Sequence, residues 1–126
     1  MRADEVTWGP DLLGPGFEQA TLPLGSDDEG DVVATLVRAM PHPGLRLFGA
    51  WRDIDVLYVH GWSDYFFQTE LARFWNRRGA RFYALDLRKY GRSLRPGQTP
   101  GYIASLSDYD DDIGAAIDVI RGPRSR

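Results

Sequence analysis

Asp55-Val56-Leu57-Tyr58-Val59-His60-Gly61, followed by Ala80-Arg81-Phe82-Tyr83-Ala84-Leu85-Asp86, is the stretch that decides the fold. The first run is short, continuous and apolar, bounded by Asp53 and Gly61. Runs of that kind suit a strand buried on both faces, as in a parallel sheet. Between the two runs, Phe67, Leu71, Phe74 and Trp75 recur at i, i+4, i+7 and i+8, the period of an amphipathic helix. The spacing predicts a helix over 65–78, with Ser63 or Asp64 capping its first turn and Gly79 closing it after Arg77-Arg78. Strand, helix, strand is a βαβ unit with a right-handed crossover. Residues 55–60 and 81–86 are therefore expected to be parallel neighbours.

On the N-terminal side the sequence reads as β structure. Residues 17–25 alternate apolar and polar from Ala20 onward, and 31–39 are rich in β-branched residues. Together they predict an antiparallel hairpin with a long acidic loop over Gly25–Asp31. Pro23 has no N–H, which confines its strand to an edge or an irregular end. Pro41-His42-Pro43-Gly44 reads as a terminator. On the C-terminal side, a loop of Arg, Gly and Pro runs from Arg88 to Gly101. Tyr109, Ile113, Ala116, Ile117 and Ile120 then mark a helix over 107–121. Ser107 with Asp110 resembles a capping box. The acidic opening of that helix, Asp108-Asp110-Asp111-Asp112, is what the macrodipole favours near an N-terminus, rather than a metal site.

The 126 residues bound the chain to one modest domain or part of a larger one, 1–126 as a single unit. Hydrophobic residues make up 43% and charged residues 26%, which excludes a disordered chain, a collagen-like fibre and a coiled coil. With no cysteine, a disulfide framework, a thiolate metal site and a cysteine nucleophile are all excluded. No metal or other cofactor is expected. Met1-Arg2-Ala3-Asp4-Glu5 lacks the apolar core of a secretory signal, and no apolar run approaches the roughly 20 residues a bilayer span needs. A cytoplasmic protein is expected. The net charge of −3 is uneven: residues 1–63 carry −6, 64–105 carry +5, and 106–126 carry −2. The basic residues of the middle segment are split among a helix, a strand start and a loop. No nucleic-acid partner is expected, since such binders carry a dense basic stripe.

Chemistry in an open parallel sheet belongs beyond the carboxyl ends of the strands. The first strand ends in His60-Gly61-Trp62-Ser63-Asp64, the second in Asp86-Leu87-Arg88-Lys89-Tyr90-Gly91-Arg92-Ser93. Gly61 permits a tight departure, after which backbone N–H groups near Trp62 could stabilise a negative oxygen. His60 invites a reading as a base, and Asp86 as a triad acid or a ribose ligand. A hydroxyl placed like that of Ser93 bonds neighbouring backbone, as turn serines do. His42, between two prolines, is expected to be structural.

Strand–His-Gly–helix followed by strand–Asp-x-Arg-x-Tyr-Gly-Arg-Ser resembles the N-terminal part of the α/β-hydrolases. The nearest subgroup is the lysophospholipase and monoacylglycerol-lipase-like group, the serine aminopeptidase family. The resemblance covers residues 17–121 and implies the first half of an α/β-hydrolase sheet: an antiparallel hairpin, a βαβ unit and one further helix. It implies that the Trp62 N–H belongs to an oxyanion hole. It also implies that His60, Gly61, Ser63, Asp64 and Asp86 shape the loops around the site, with Arg88 and Arg92 bracing them. The implied parent activity is serine-dependent hydrolysis of a lipid or glycerol ester.

The family's nucleophile sits in Gly-x-Ser-x-Gly on a strand-to-helix turn, and no such sequence occurs here. No catalytic residue can be assigned within this chain, which is expected to be a truncated first half and inactive alone. An epoxide hydrolase or dehalogenase relative and a non-catalytic interaction protein are the alternatives. A dinucleotide-binding domain is disfavoured, because the Gly-x-Gly-x-x-Gly turn is missing. In the half-sheet, strand 55–60 would be left with an open edge, through which the chain is expected to self-associate.

Overall fold

The computed structural model describes residues 6–61 and 64–122. Its elements are β1 (Gly9–Pro10), β2 (Glu18–Asp27), β3 (Gly30–Ala39), α1 (Pro43–Phe48), β4 (Asp55–Val59), α2 (Thr69–Asn76), β5 (Arg81–Asp86) and α3 (Tyr109–Arg121). The five strands form one mixed sheet in the order β1-β2-β3-β5-β4. β1/β2, β2/β3 and β3/β5 are antiparallel, and only β4/β5 is parallel. The chain thus has an α/β architecture with the expected hairpin and the expected parallel pair.

The two-residue side-chain period of β5 explains the layering. Phe82 and Ala84 face one side, where they pack with Val37, Ala39, Phe66 and the Leu71, Ala72 and Trp75 face of α2. Tyr83 and Leu85 face the other, where they pack with Leu22, Leu36 and the Ile113, Ala116 and Ile120 face of α3. β5 is buried along almost its whole length, because it is central and covered on both faces.

Several expectations are corrected. β4 is not buried on both faces: its ends are exposed and its middle is half-buried. It lies at the edge of the sheet, as expected for the half-sheet, and an edge strand lacks the second neighbour that would help cover it. The hairpin loop is not long, since β2 and β3 extend to an Asp27↔Gly30 pair and leave only Asp28-Glu29 between them. Gly30 at φ 108° and the Asp27 carboxylate accepting from Glu29 N–H allow the tight turn. Pro23 does lie along an open stretch of β2, because β1 pairs only with Glu18 and Gln19.

α2 starts later than expected. Its N-cap is Gln68, with no side-chain cap bond. Asp64 bonds Tyr65 N–H instead, Ser63 lies outside the described residues, and Phe67 precedes the helix with 52% exposure. Gly79, at φ 95°, follows the helix end as expected. The capping box falls two residues early, on Ser105 and Asp108, around a 3₁₀ turn at Leu106–Asp108. The terminator at 41–44 opens α1: Pro43 takes the first helical position and His42 Nδ1 accepts from Gly44 N–H. No helix among the described residues is long and apolar enough to cross a membrane.

Candidate functional site

The carboxyl ends of β4 and β5 carry the loops 60–68 and 87–101. His60 is buried at the first exit. Its Nε2 accepts the Leu87 N–H at 3.0 Å, so the ring proton sits on Nδ1, which donates to Gly61 O at 2.7 Å. Both nitrogens are thereby committed to backbone, one bond reaching across to the exit of β5. The ring also stacks edge-on against Tyr90, with centroids 4.8 Å apart. His60 is a clasp between the two loops.

Asp86 plays the matching part from β5. Its Oδ1 accepts from Phe66 N–H at 2.8 Å, and its Oδ2 accepts from the Arg92 backbone N–H at 3.0 Å and from Arg92 Nη1 at 2.9 Å. Its carbonyl accepts from Ser93 Oγ at 2.7 Å, and that hydroxyl also meets Thr35 Oγ1 of β3 at 3.0 Å. The carboxylate is fully buried, and both its oxygens are engaged by the loops rather than by a histidine. Gly91, at φ 45°, is required by this closeness: a Cβ there would collide with Tyr65 Cβ and stand 2.8 Å from Asp86 Oδ2.

Arginine and lysine brace the second loop. Arg92 donates to both oxygens of Asp11, at 2.6 and 2.9 Å, and to Phe66 O at 2.7 Å. Burial pulls the Asp11 carboxyl upward, but the bonds from Arg92 and from backbone outweigh it and hold the carboxyl below its ordinary value. Arg88 binds Asp112 of α3 through both its backbone N–H and its guanidinium, at 2.8 Å each. Burial nevertheless pushes the Asp112 carboxyl above its ordinary value. Lys89 adopts φ 62°, the one left-handed non-glycine among the described residues. Its ammonium is wholly buried between Asp27 (2.5 Å) and Glu29 (2.7 Å) of the hairpin tip. Glu29 also accepts from Thr99. The only lysine in the chain thus latches the loop to the hairpin.

Two openings flank Tyr90. One, of about 270 Å³, is lined by His60, Gly61, Leu87, Tyr90, Ile103, Leu106 and Tyr109. The other, of about 250 Å³, includes Asp64, Tyr65, Lys89, Gly91 and Leu94. Burial, reinforced by a hydrogen bond with Tyr90, pushes the Tyr109 phenol up to about 12, so it stays a neutral donor. Gly61 is exposed, and a Cβ there would meet no described atom. The glycine leaves the crevice mouth open rather than serving a left-handed turn. Trp62, the expected oxyanion donor, lies outside the described residues.

What the openings offer chemically is an apolar floor, tyrosine hydroxyls and backbone, with Asp64 and Lys89 at the second of them. Among the described residues no serine or threonine hydroxyl bonds a histidine. Ser93 is buried against backbone, and Ser105 and Ser107 bond each other at 2.9 Å. Nor does any group of three or more acidic or histidine side chains among them form a metal site; Asp110 and Asp111 are exposed while Asp112 binds Arg88. The sequence singled out His60, Asp86, Arg88 and Arg92; the structure pairs Asp86 with Arg92 and places His60 against the β5 exit, while the Arg88 side chain turns away to Asp112 of α3. It did not single out Asp11, Lys89 with Asp27 and Glu29, or Asp112 as the partner of Arg88. A lone lysine facing an acidic turn was the available signal. No family model, curated protein or solved structure matches the chain.

Proposed function

We propose that this chain is the N-terminal half of an α/β-hydrolase sheet whose parent activity is serine-dependent hydrolysis of a lipid or glycerol ester. The single observation that carries the reading is the strand order. An antiparallel hairpin, β2/β3, leads to a crossover that inserts β5 between β3 and β4. That order places His60-Gly61 and Asp86–Ser93 side by side at one end of the sheet. The neutral, doubly bonded His60 and the sequestered Asp86 fit loop-shaping roles and leave proton transfer to residues elsewhere in the parent.

In that parent, acyl transfer would use a serine activated by a histidine and an acid. The Trp62 N–H would help hold the oxyanion, and the openings beside Tyr90 would receive apolar parts of the substrate. Alone, the chain supplies none of the nucleophile, base and orienting acid that acyl transfer needs together. A second reading, a non-catalytic interaction protein, draws on the open edge of β4. An epoxide hydrolase or dehalogenase parent remains the other enzymatic alternative.

The coding sequence beyond codon 121 decides between them. A Gly-x-Ser-x-Gly within roughly 10–20 codons, in any frame, is expected from the length of one loop and one strand. The purified chain should show no turnover of a short acyl ester. Absence of the motif, or hydrolysis that persists when Ser63, Ser93 and Ser107 are replaced singly, overturns the reading.

A further inference from the structure

At the opposite end of the sheet, the C-terminal ends of α1 and α2 abut. Gly49 and Gly79 meet backbone to backbone: a Cβ on Gly49 would stand 2.9 Å from Gly79 Cα and 2.6 Å from Leu45 O. Trp51 N–H donates to Arg78 O at 2.9 Å. This contact fixes the last residues of α1 beside the last turn of α2 and presents an unusual surface. Leu47 is 67% exposed, Phe48 83% and Phe74 39%.

Arginines ring these side chains. Arg46 and Arg77 are exposed, and neither has an ion-pair partner among the described residues. Arg52 is also exposed and donates to Gly49 O. The Arg78 guanidinium lies 3.7 Å from the centroid of Phe74.

Exposed Asp53 and the Asp55–Arg81 pair share this end, but most of the described acids gather at the other. The hairpin tip, Asp27 to Asp31, is tied to the 88–101 loop by Lys89 and Thr99. The opening turn of α3 is tied to Arg88 by Asp112. Among the described residues the exposed charge is polarised along the strands: Arg88, Lys89 and Arg92 at the crevice end are buried in ion pairs while Asp28, Asp31, Asp110 and Asp111 are exposed, and exposed arginines predominate at the far end.

We propose that this far end docks peripherally on an anionic lipid bilayer. Leu47 and Phe48 enter the headgroup layer, while Arg46, Arg52, Arg77 and Arg78 face lipid phosphates and carboxylates. Apolar side chains flanked by arginine are the pattern of interfacial binding. An anionic leaflet attracts cations within about a Debye length, ~8–10 Å, and repels the acidic end. That orientation leaves the crevice facing solvent. Exposed Leu47 and Phe48 favour a bilayer over nucleic acid, whose binders present a basic stripe. The proposal does not depend on the hydrolase reading.

Flotation of the purified chain in a density gradient tests it, since aggregates sink while vesicle-bound protein rises. The chain should float with equimolar phosphatidylcholine–phosphatidylserine vesicles at low salt, and should not float with phosphatidylcholine alone. The R46Q/R77Q variant should lose partitioning by roughly fivefold per arginine. The L47S/F48S variant should lose about tenfold or more through lost apolar burial. Val59→Lys, on the β4 edge at the crevice end, should float like the parent chain and supplies a background in which strand-edge association is blocked. The proposal is overturned by flotation that is equal on neutral vesicles, by either double variant floating unchanged, or by a DNA duplex binding at the same salt without flotation.

Discussion

Replacing Arg92 with methionine should be among the most damaging single changes in this chain. The side chain of Arg92 is only 2% exposed, and the carboxylates of Asp11 and Asp86 that it binds are both at 0%. Four hydrogen bonds leave its guanidinium: two to Asp11, one to Asp86 and one to Phe66 O. Methionine keeps much of the stem's volume but leaves two buried carboxylates without their cation. Breaking a buried pair in this way costs about 3–5 kcal/mol, a large part of a domain's total of roughly 5–15 kcal/mol. At about 4 °C per kcal/mol for a chain of this size, the melting temperature should fall by roughly 10–20 °C. Far-UV circular dichroism against temperature and urea measures it. The pH dependence gives a second reading. Asp11 is held below its ordinary value in the folded chain, so its contribution is present above the unfolded pKa of about 3.9 and is lost as pH falls through the folded value. The gap between parent and variant should therefore narrow below about pH 4. A loss under about 1 kcal/mol at neutral pH, within the range of an exposed ion pair, would refute the view that Arg92 neutralises these two carboxylates.

Gly91→Ala should cost about 1–3 kcal/mol through collision with Tyr65 and Asp86 and through its left-handed backbone; denaturant titration reads it, with Gly97→Ala, strained in φ but unobstructed, as the milder control. The Lys89 latch should open in acid: bonds from Lys89 lead in holding the carboxyls of Asp27 and Glu29 below their ordinary values, so the stability they contribute is present above the ordinary carboxylate range and fades as pH falls through the lowered ones. Protection of the 88–101 amides, measured against their intrinsic exchange rate at each pH, should fall below about pH 4 and should be low at neutral pH already in Lys89→Met. Val59→Lys should shift the sedimentation profile toward monomer, because the exposed β4 edge then carries a charge; a parent chain that is already a monodisperse monomer with a sharp thermal transition would contradict edge-to-edge association.

The sequence by itself determined the hairpin, the βαβ unit and the closing helix. Each is encoded locally: a period of two for β2, β-branched residues for β3, a period of 3.6 for α2 and α3, and continuous apolar runs for β4 and β5. It also determined that His60 and Asp86 stand at adjacent strand exits, since both follow directly on the apolar runs. Boundaries were less legible. α2 lost its first turn because Phe67 fits the helical period but sits where the chain is still bonded to Asp86 through Phe66. α1 was hidden because a histidine cap depends on ring orientation, which composition does not carry. The apolar runs by themselves did not say which strand is central; the edge position of β4 was expected only from the family resemblance, and the pairing of β3 with β5 realises it. Tertiary structure alone decided the long-range ion pairs, Arg92 with Asp11 across 81 residues and Lys89 with Asp27 across 62. A charge's partner is fixed by where folding leaves it out of reach of water, and that burial exists only once the sheet and its two covering helices have come together.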